Sequence, residues 1–143
     1  MMLTKPSLTL VRRINAAPIK VYRAWVDPAL MTHWFGPAGA IVLHTEMDPS
    51  VGGRFHIVMR TPDGEEHDVS GVYREVIEGE RLVFTWAWRS TPERESLVHV
   101  TFEPNGDGTT LTLFHEQFYD EAARDGHKGG WTGALERLVA YFD

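Results

Sequence analysis

From Ile41 to His115 the chain repeats one pattern, a short stretch of period-two apolar residues followed by a tight turn. Phe55, Ile57 and Met59 alternate with His56, Val58 and Arg60, and Leu82, Phe84, Trp86 and Trp88 fall on one parity. Between such stretches lie Val51-Gly52-Gly53, Pro62-Asp63-Gly64, Glu78-Gly79-Glu80 and Asn105-Gly106-Asp107-Gly108, all built from turn-forming residues. Connections this short join antiparallel neighbours, because parallel strands need a long crossover. The pattern predicts strands at Ile41–Met47, around Phe55–Arg60, and at Val69–Val76, Leu82–Trp88, Glu95–Phe102 and Thr110–His115, arranged as one meander.

The two ends differ from this middle. Leu8, Leu10, Arg12 and Ile14 share a parity and predict a first strand. Pro18 opens a short helix over residues 18–26, with Val21, Ala24 and Trp25 on one face. Asp27-Pro28 then restarts a second helix, to about residue 34, that stops before Gly36-Pro37. From Asp120 to Phe142 the period is helical, with Trp131, Leu135, Leu138, Val139 and Phe142 on one stripe. A curved sheet needs its apolar face covered, and only this last helix is long enough to do so. The expected class is α+β, one domain over residues 1–143 with about six to seven strands.

Three features suggest a core that is not fully packed. The last helix carries Gly126, Gly129, Gly130 and Gly133, although each interior glycine costs about 0.5–1 kcal/mol relative to alanine. They either bare one side of the helix as a pocket wall or mark a frayed first half, with the helix starting near His127. Five Trp, seven Phe and four Tyr could line an apolar site or simply fill the core. Polar residues also fall on apolar parities. Arg12 sits among leucines, with Glu46 and Glu116 as candidate partners, and His115 continues Leu111 and Leu113. His99 has the opposite parity and is expected to face solvent.

Other chemistries are excluded. With no cysteine there is no disulfide, thiolate nucleophile, zinc–thiolate site or iron–sulfur cluster. A net charge of −6 without a basic patch argues against nucleic-acid binding. No apolar run reaches the roughly 20 residues of a membrane helix, and Met1–Lys5 is not followed by the apolar stretch of a signal peptide. No membrane insertion and a cytoplasmic location are expected. There is no phosphate-binding glycine loop, no H-E-x-x-H and no G-x-S-x-G. The seven histidines are scattered singly, so neither a metal nor another cofactor is expected. Acid–base catalysis by His115, His127 or a pocket carboxylate is the enzymatic alternative.

Taken together, several motifs resemble a known family. Trp34-Phe35-Gly36-Pro37 after the Asp27-Pro28 helix is similar to the W-[WF]-G-P signature of the activator of heat-shock protein 90 ATPase homologue-like family, part of the START-related (SRPBCC) helix-grip superfamily. Gly52-Gly53-Arg54-Phe55, Pro62-Asp63-Gly64, Gly71-Val72-Tyr73 and Glu80-Arg81-Leu82-Val83 follow in register. So do Thr110-Leu111-Thr112-Leu113-Phe114-His115-Glu116 and His127-Lys128-Gly129-Gly130-Trp131. The resemblance spans roughly residues 8–142. It implies a helix-grip fold, a curved antiparallel sheet wrapped round a long C-terminal helix, with an apolar ligand between them in many members. By position, it implies a cavity lined by Trp34, Phe55, Tyr73, Trp86, Phe102, His115 and Trp131, to which the glycine reading of the last helix adds Gly130.

The superfamily includes polyketide cyclase-like enzymes, lipid carriers and hormone binders, so fold leaves the chemistry open. The favoured expectation is a binder of a hydrophobic, amphipathic or lipid-like small molecule. A cyclase- or hydrolase-like enzyme is the first alternative, and a chaperone-associated or stress-response interaction domain the second. The co-chaperone activity in the family's name belongs to larger eukaryotic proteins, so stimulation of a chaperone ATPase is not expected. A homodimer is compatible with a domain of this size.

Overall fold

The computed structural model describes residues 5–143; Met1–Thr4, most of the stretch read for a targeting signal, lie outside the described residues. Strand β1 (Leu8–Ile14) leads into helices α1 (Pro18–Val26) and α2 (Pro28–Met31). Six consecutive strands follow: β2 (Ile41–Met47), β3 (Arg54–Arg60), β4 (Glu66–Ile77), β5 (Arg81–Trp88), β6 (Ser96–Asn105) and β7 (Gly108–Glu116). Helix α3 (Glu121–Tyr141) comes last. The strands form one curved antiparallel sheet in the order β1-β7-β6-β5-β4-β3-β2. Six of them are the meander read from the sequence. Strand β1 returns to pair with β7, setting Leu8 opposite His115 and Ile14 opposite Thr109. This is the α+β helix-grip architecture.

Local chemistry sets the helix ends. The Asp27 carboxylate accepts from the Ala29 N–H at 2.9 Å, with Pro28 at the first helical position. Helix α2 is shorter than predicted, because its chain turns at Thr32, whose hydroxyl donates to the Ala29 carbonyl. That turn drops Trp34 into the core, where its indole N–H donates to the Ala24 carbonyl at 3.0 Å. Asp120 caps α3 through the Ala123 N–H at 2.8 Å. The helix is therefore formed from Glu121 onward and not from His127.

Helix α3 divides into two halves. Trp131, Ala134, Leu135 and Leu138 are buried against the sheet, while no residue of Glu121–Gly130 is fully buried. Val139 and Phe142, placed on the predicted stripe, pack at the margin of the core. The segment Phe35–Pro37 crosses the buried half. Arg137 pins it by donating to the carbonyls of Phe35, Gly36 and Pro37 at 3.2–3.4 Å. Gly133 lets the next residues approach, since a Cβ there would lie 3.1 Å from the Ala38 nitrogen. No helix among the described residues is long and apolar enough to cross a membrane.

One glycine of the sheet is dictated by packing. A Cβ on Gly71 would strike the Thr85 carbonyl and lie 2.5 Å from the Phe55 ring. Gly71→Ala is expected to cost about 3 kcal/mol, the upper part of the overpacking range, read as a lowered urea midpoint. A loss under about 0.5 kcal/mol would show that the strands part freely.

The predicted buried polar group is corrected. Arg12 is only half-buried and donates to the neighbouring Val11 carbonyl at 2.8 Å. Its long side chain lets the inward parity coexist with a solvated head. Glu46 is exposed on β2, at the opposite edge of the sheet from β1. Glu116 is half-buried and engages His99 at 2.6 Å. His99 is thus drawn into a part-buried pair instead of standing free in solvent.

Candidate functional site

Where the glycine-rich half of α3 leaves the sheet, a cleft of about 450 Å³ opens. Its floor is aromatic: Trp86 and Trp88 from β5, Trp131 from α3 and Phe35 from the pinned segment. Its helix wall is bare, because nothing lies within 4 Å of where a Cβ would stand on Gly126 or Gly130. The far rim is polar, with Thr61, Asp63 and His67 from the β3–β4 hairpin. Thr61 and the Glu65 N–H both donate to the Asp63 carboxylate and hold it below the usual carboxylate range. The volume and the apolar lining with few polar groups match those of small-molecule sites.

Three indoles and two imidazoles build the wall behind this floor. An indole N–H only donates, so each imidazole nitrogen facing one must accept. Trp88 and Trp86 both donate to Nε2 of His127, at 2.8 and 3.3 Å. The proton of His127 therefore sits on Nδ1 and is given to the Ala123 carbonyl, one turn back, at 2.7 Å. Trp131 donates to Nδ1 of His115 at 3.0 Å. His115 in turn donates from Nε2 to the Ser96 hydroxyl at 2.7 Å, and Ser96 donates to the Trp86 carbonyl at 3.3 Å. Phe118 covers both rings, with centroids 4.1 Å from His115 and 4.9 Å from His127. It is swung there by a left-handed Gln117, φ 67°.

This wiring makes both histidines neutral. Burial pushes His115 well below the ordinary histidine value, and the nearby His127 and His99 push it further. Burial also lowers His127, against a smaller opposing effect of its bond to Ala123. The wiring bears directly on catalysis. Ser96 and His115 have the spacing of a nucleophile and its base, but the imidazole donates to the hydroxyl and cannot take its proton. The lone pair of His127 is likewise occupied by two indoles.

Of the residues expected to line a cavity, the cleft gathers Trp86, Gly130 and Trp131. His115 lies one layer behind, fully buried. Phe55 and Tyr73 border a void of only about 20 Å³ deeper in the core, and burial raises the Tyr73 hydroxyl. Trp34 and Phe102 are filled core, both packed on Trp25 with ring centroids 4.7 and 6.4 Å away. The pocket is thus displaced toward the start of α3, because the interior under its second half is closed by stacked aromatics. Phe35, Pro37, Met59, His67 and Trp88 were not among the expected lining residues. Trp88 could have been found, since it shares the parity of Trp86 one step nearer the strand end. His67 and the Thr61–Asp63 rim belong to a hairpin whose tilt toward the helix has no linear signature.

Comparison with known proteins agrees with this architecture. The family described as Activator of Hsp90 ATPase homolog 1-like protein matches residues 15–143. A solved structure from Chromobacterium violaceum is similar at 27% identity with a TM-score of 0.87, over 95% of this chain and 96% of that one. An AHSA1 protein from Silicibacter pomeroyi shares 30% identity with a TM-score of 0.84, again over 95% and 96%. A solution structure of an AHSA1-like protein from Aeromonas hydrophila, at 22% identity over 95% and 91%, shares the fold with a TM-score of 0.78. No curated protein matches the chain.

Proposed function

The chain belongs to the Activator of Hsp90 ATPase homolog 1-like family, and we propose that, like the ligand binders among helix-grip proteins, it binds one apolar or amphipathic small molecule in the cleft beside Gly126 and Gly130. The observation that carries this reading is the bare helix wall facing Trp86, Trp88 and Trp131. A helix that merely capped the sheet would gain about 0.5–1 kcal/mol from each alanine placed at these positions. Space for those methyls is free, so packing does not exclude them. The aromatic floor supplies the burial energy for an apolar body. The polar rim at Thr61 and His67 suits a hydrogen-bonding head group, hence a lipid-like or otherwise amphipathic ligand.

A fluorescent apolar dye should bind with one-to-one stoichiometry. Gly130→Ala should retain binding and raise helix stability by about 0.5–1 kcal/mol. Gly130→Phe should fill the cleft and weaken binding at least tenfold, while the far-ultraviolet circular dichroism is kept. Equal affinity in the phenylalanine variant would place the ligand elsewhere. Native mass spectrometry of freshly purified protein would reveal a retained ligand as excess mass, and the same spectrum gives the oligomeric state.

A further inference from the structure

The outer face of the sheet carries a second constellation, away from the cleft. His44 and Glu46 sit two residues apart on β2 and so point to the same side. Glu46 is the register partner of His56 on β3. One donor atom from each of His44, Glu46 and His56 falls within 4.8 Å of the other two. The His44 Nε2 to Glu46 Oε1 separation is 3.2 Å, close to the roughly 3.3 Å edge of a tetrahedron with metal–ligand bonds of about 2.0–2.1 Å. From β4, Asp68 reaches His56 Nε2 with Oδ1 at 2.8 Å, the kind of carboxylate–imidazole contact that orients a ligating histidine.

We propose that His44, Glu46 and His56 form a site for a divalent cation of the zinc class, with Asp68 as the residue that positions His56. Two imidazoles and one carboxylate are the donor set of borderline cations, unlike the all-oxygen sets that hold magnesium or calcium. The β2–β3 pairing fixes the backbone, so only side-chain rotation is needed to close the three donors round an ion. Three protein ligands leave a fourth position open. Glu46 and His56 border a depression that Arg54 and Arg89 also line. Arg89 stands 3.9 Å from Asp68 and offsets part of its charge, so affinity comes mainly from the imidazoles. The arginines also suit a small anion, such as a carboxylate or phosphate, as the fourth ligand.

A second group, Asp63, Glu65 and His67, has similar spacing but offers one imidazole instead of two, and its carboxylate is tied into the hairpin turn. The Asp63 carboxylate accepts from Thr61 and from the Glu65 N–H, and His67 contacts Thr61 at 3.1 Å. Those bonds hold the hairpin turn. Ligands contributed by neighbouring strands have no linear spacing, which is why the histidines look isolated in the sequence.

Calorimetric titration of the untagged 143-residue chain with zinc chloride alone decides the matter. One equivalent should bind. His44→Ala and His56→Ala should each weaken binding at least tenfold, and Asp68→Asn by a smaller factor. His67→Ala should leave the affinity unchanged. His44 is exposed and His56 half-buried on the outer face, away from the cleft, so the His44 and His56 variants should keep native circular dichroism and dye binding in the cleft. No zinc binding, or equal affinity in the His44→Ala, His56→Ala double variant, would overturn the assignment. Loss on His67→Ala alone would transfer the site to the hairpin.

Discussion

Replacing His115 with alanine is expected to cost about 4 kcal/mol of folding stability. The side chain is fully buried at the meeting point of β7, β6 and α3. Its removal leaves the Trp131 indole N–H without an acceptor, at about 1–3 kcal/mol, and strips the Ser96 hydroxyl of one bond, leaving it only the Trp86 carbonyl. It also opens a cavity under Phe118, whose ring packs 4.1 Å from the imidazole. Against a total stability of about 5–15 kcal/mol, the melting temperature should fall by roughly 15 °C. His115→Gln offers both an acceptor and a donor and should recover part of the loss. A cost below about 1 kcal/mol in the alanine variant, measured by urea unfolding, would mean that the indole and the hydroxyl find other partners.

The second large effect is loss of stability in mild acid. His115 and His127 are both held neutral, their folded values lying below the ordinary histidine value of 6.5. The unfolded chain therefore takes up protons on these two side chains at a pH where the native chain refuses them. Stability is full above about pH 6.5 and falls as the pH drops toward the two folded values. Each histidine contributes at most about 1.4 kcal/mol per pH unit, so the pair reaches about 2.7. No carboxylate is hydrogen-bonded to either ring among the described residues to soften the effect; their partners are indoles, the Ser96 hydroxyl and the Ala123 carbonyl. His127→Gln keeps an acceptor for Trp86 and Trp88 and should make the slope below pH 6.5 shallower. An unchanged slope in that variant would exclude His127 as a source of the effect.

Much of the fold was legible because period two and tight turns leave little freedom. The glycine turns at 52, 64, 79 and 106, all with left-handed backbones, fix four of the five reversals of the six-strand meander. Asp27-Pro28 and Asp120 mark their helix starts through side-chain caps found in the structure. The cleft was legible in part. Gly126 and Gly130 betray a bare wall, yet the same glycine spacing at Gly133 serves close packing against Ala38. Sequence cannot separate the two uses, because the difference lies in what crosses the helix. Arg12 shows another limit. Parity tells which way a side chain leaves the strand, but a long side chain near the sheet edge can still end in water. The histidine wiring was the least legible part, since Trp86, Trp88, His115, His127 and Trp131 meet only after β5, β7 and α3 have packed. A polar residue on the parity of Leu111 and Leu113 was its one visible trace.

The five indoles also have an optical consequence. They form an unbroken series, with ring centroids 4.7 Å apart from Trp34 to Trp25, 5.9 Å to Trp131, 5.1 Å to Trp86 and 5.4 Å to Trp88. At such spacings electronic excitation passes between rings faster than it is emitted, so the chain fluoresces as one coupled antenna and not as five separate lamps. The antenna ends at the cleft, where Trp86 and Trp88 share the nitrogen of His127. A molecule that quenches or shifts Trp88 is therefore reported by light absorbed as far away as Trp34, and occupancy of the cleft can be followed without any label.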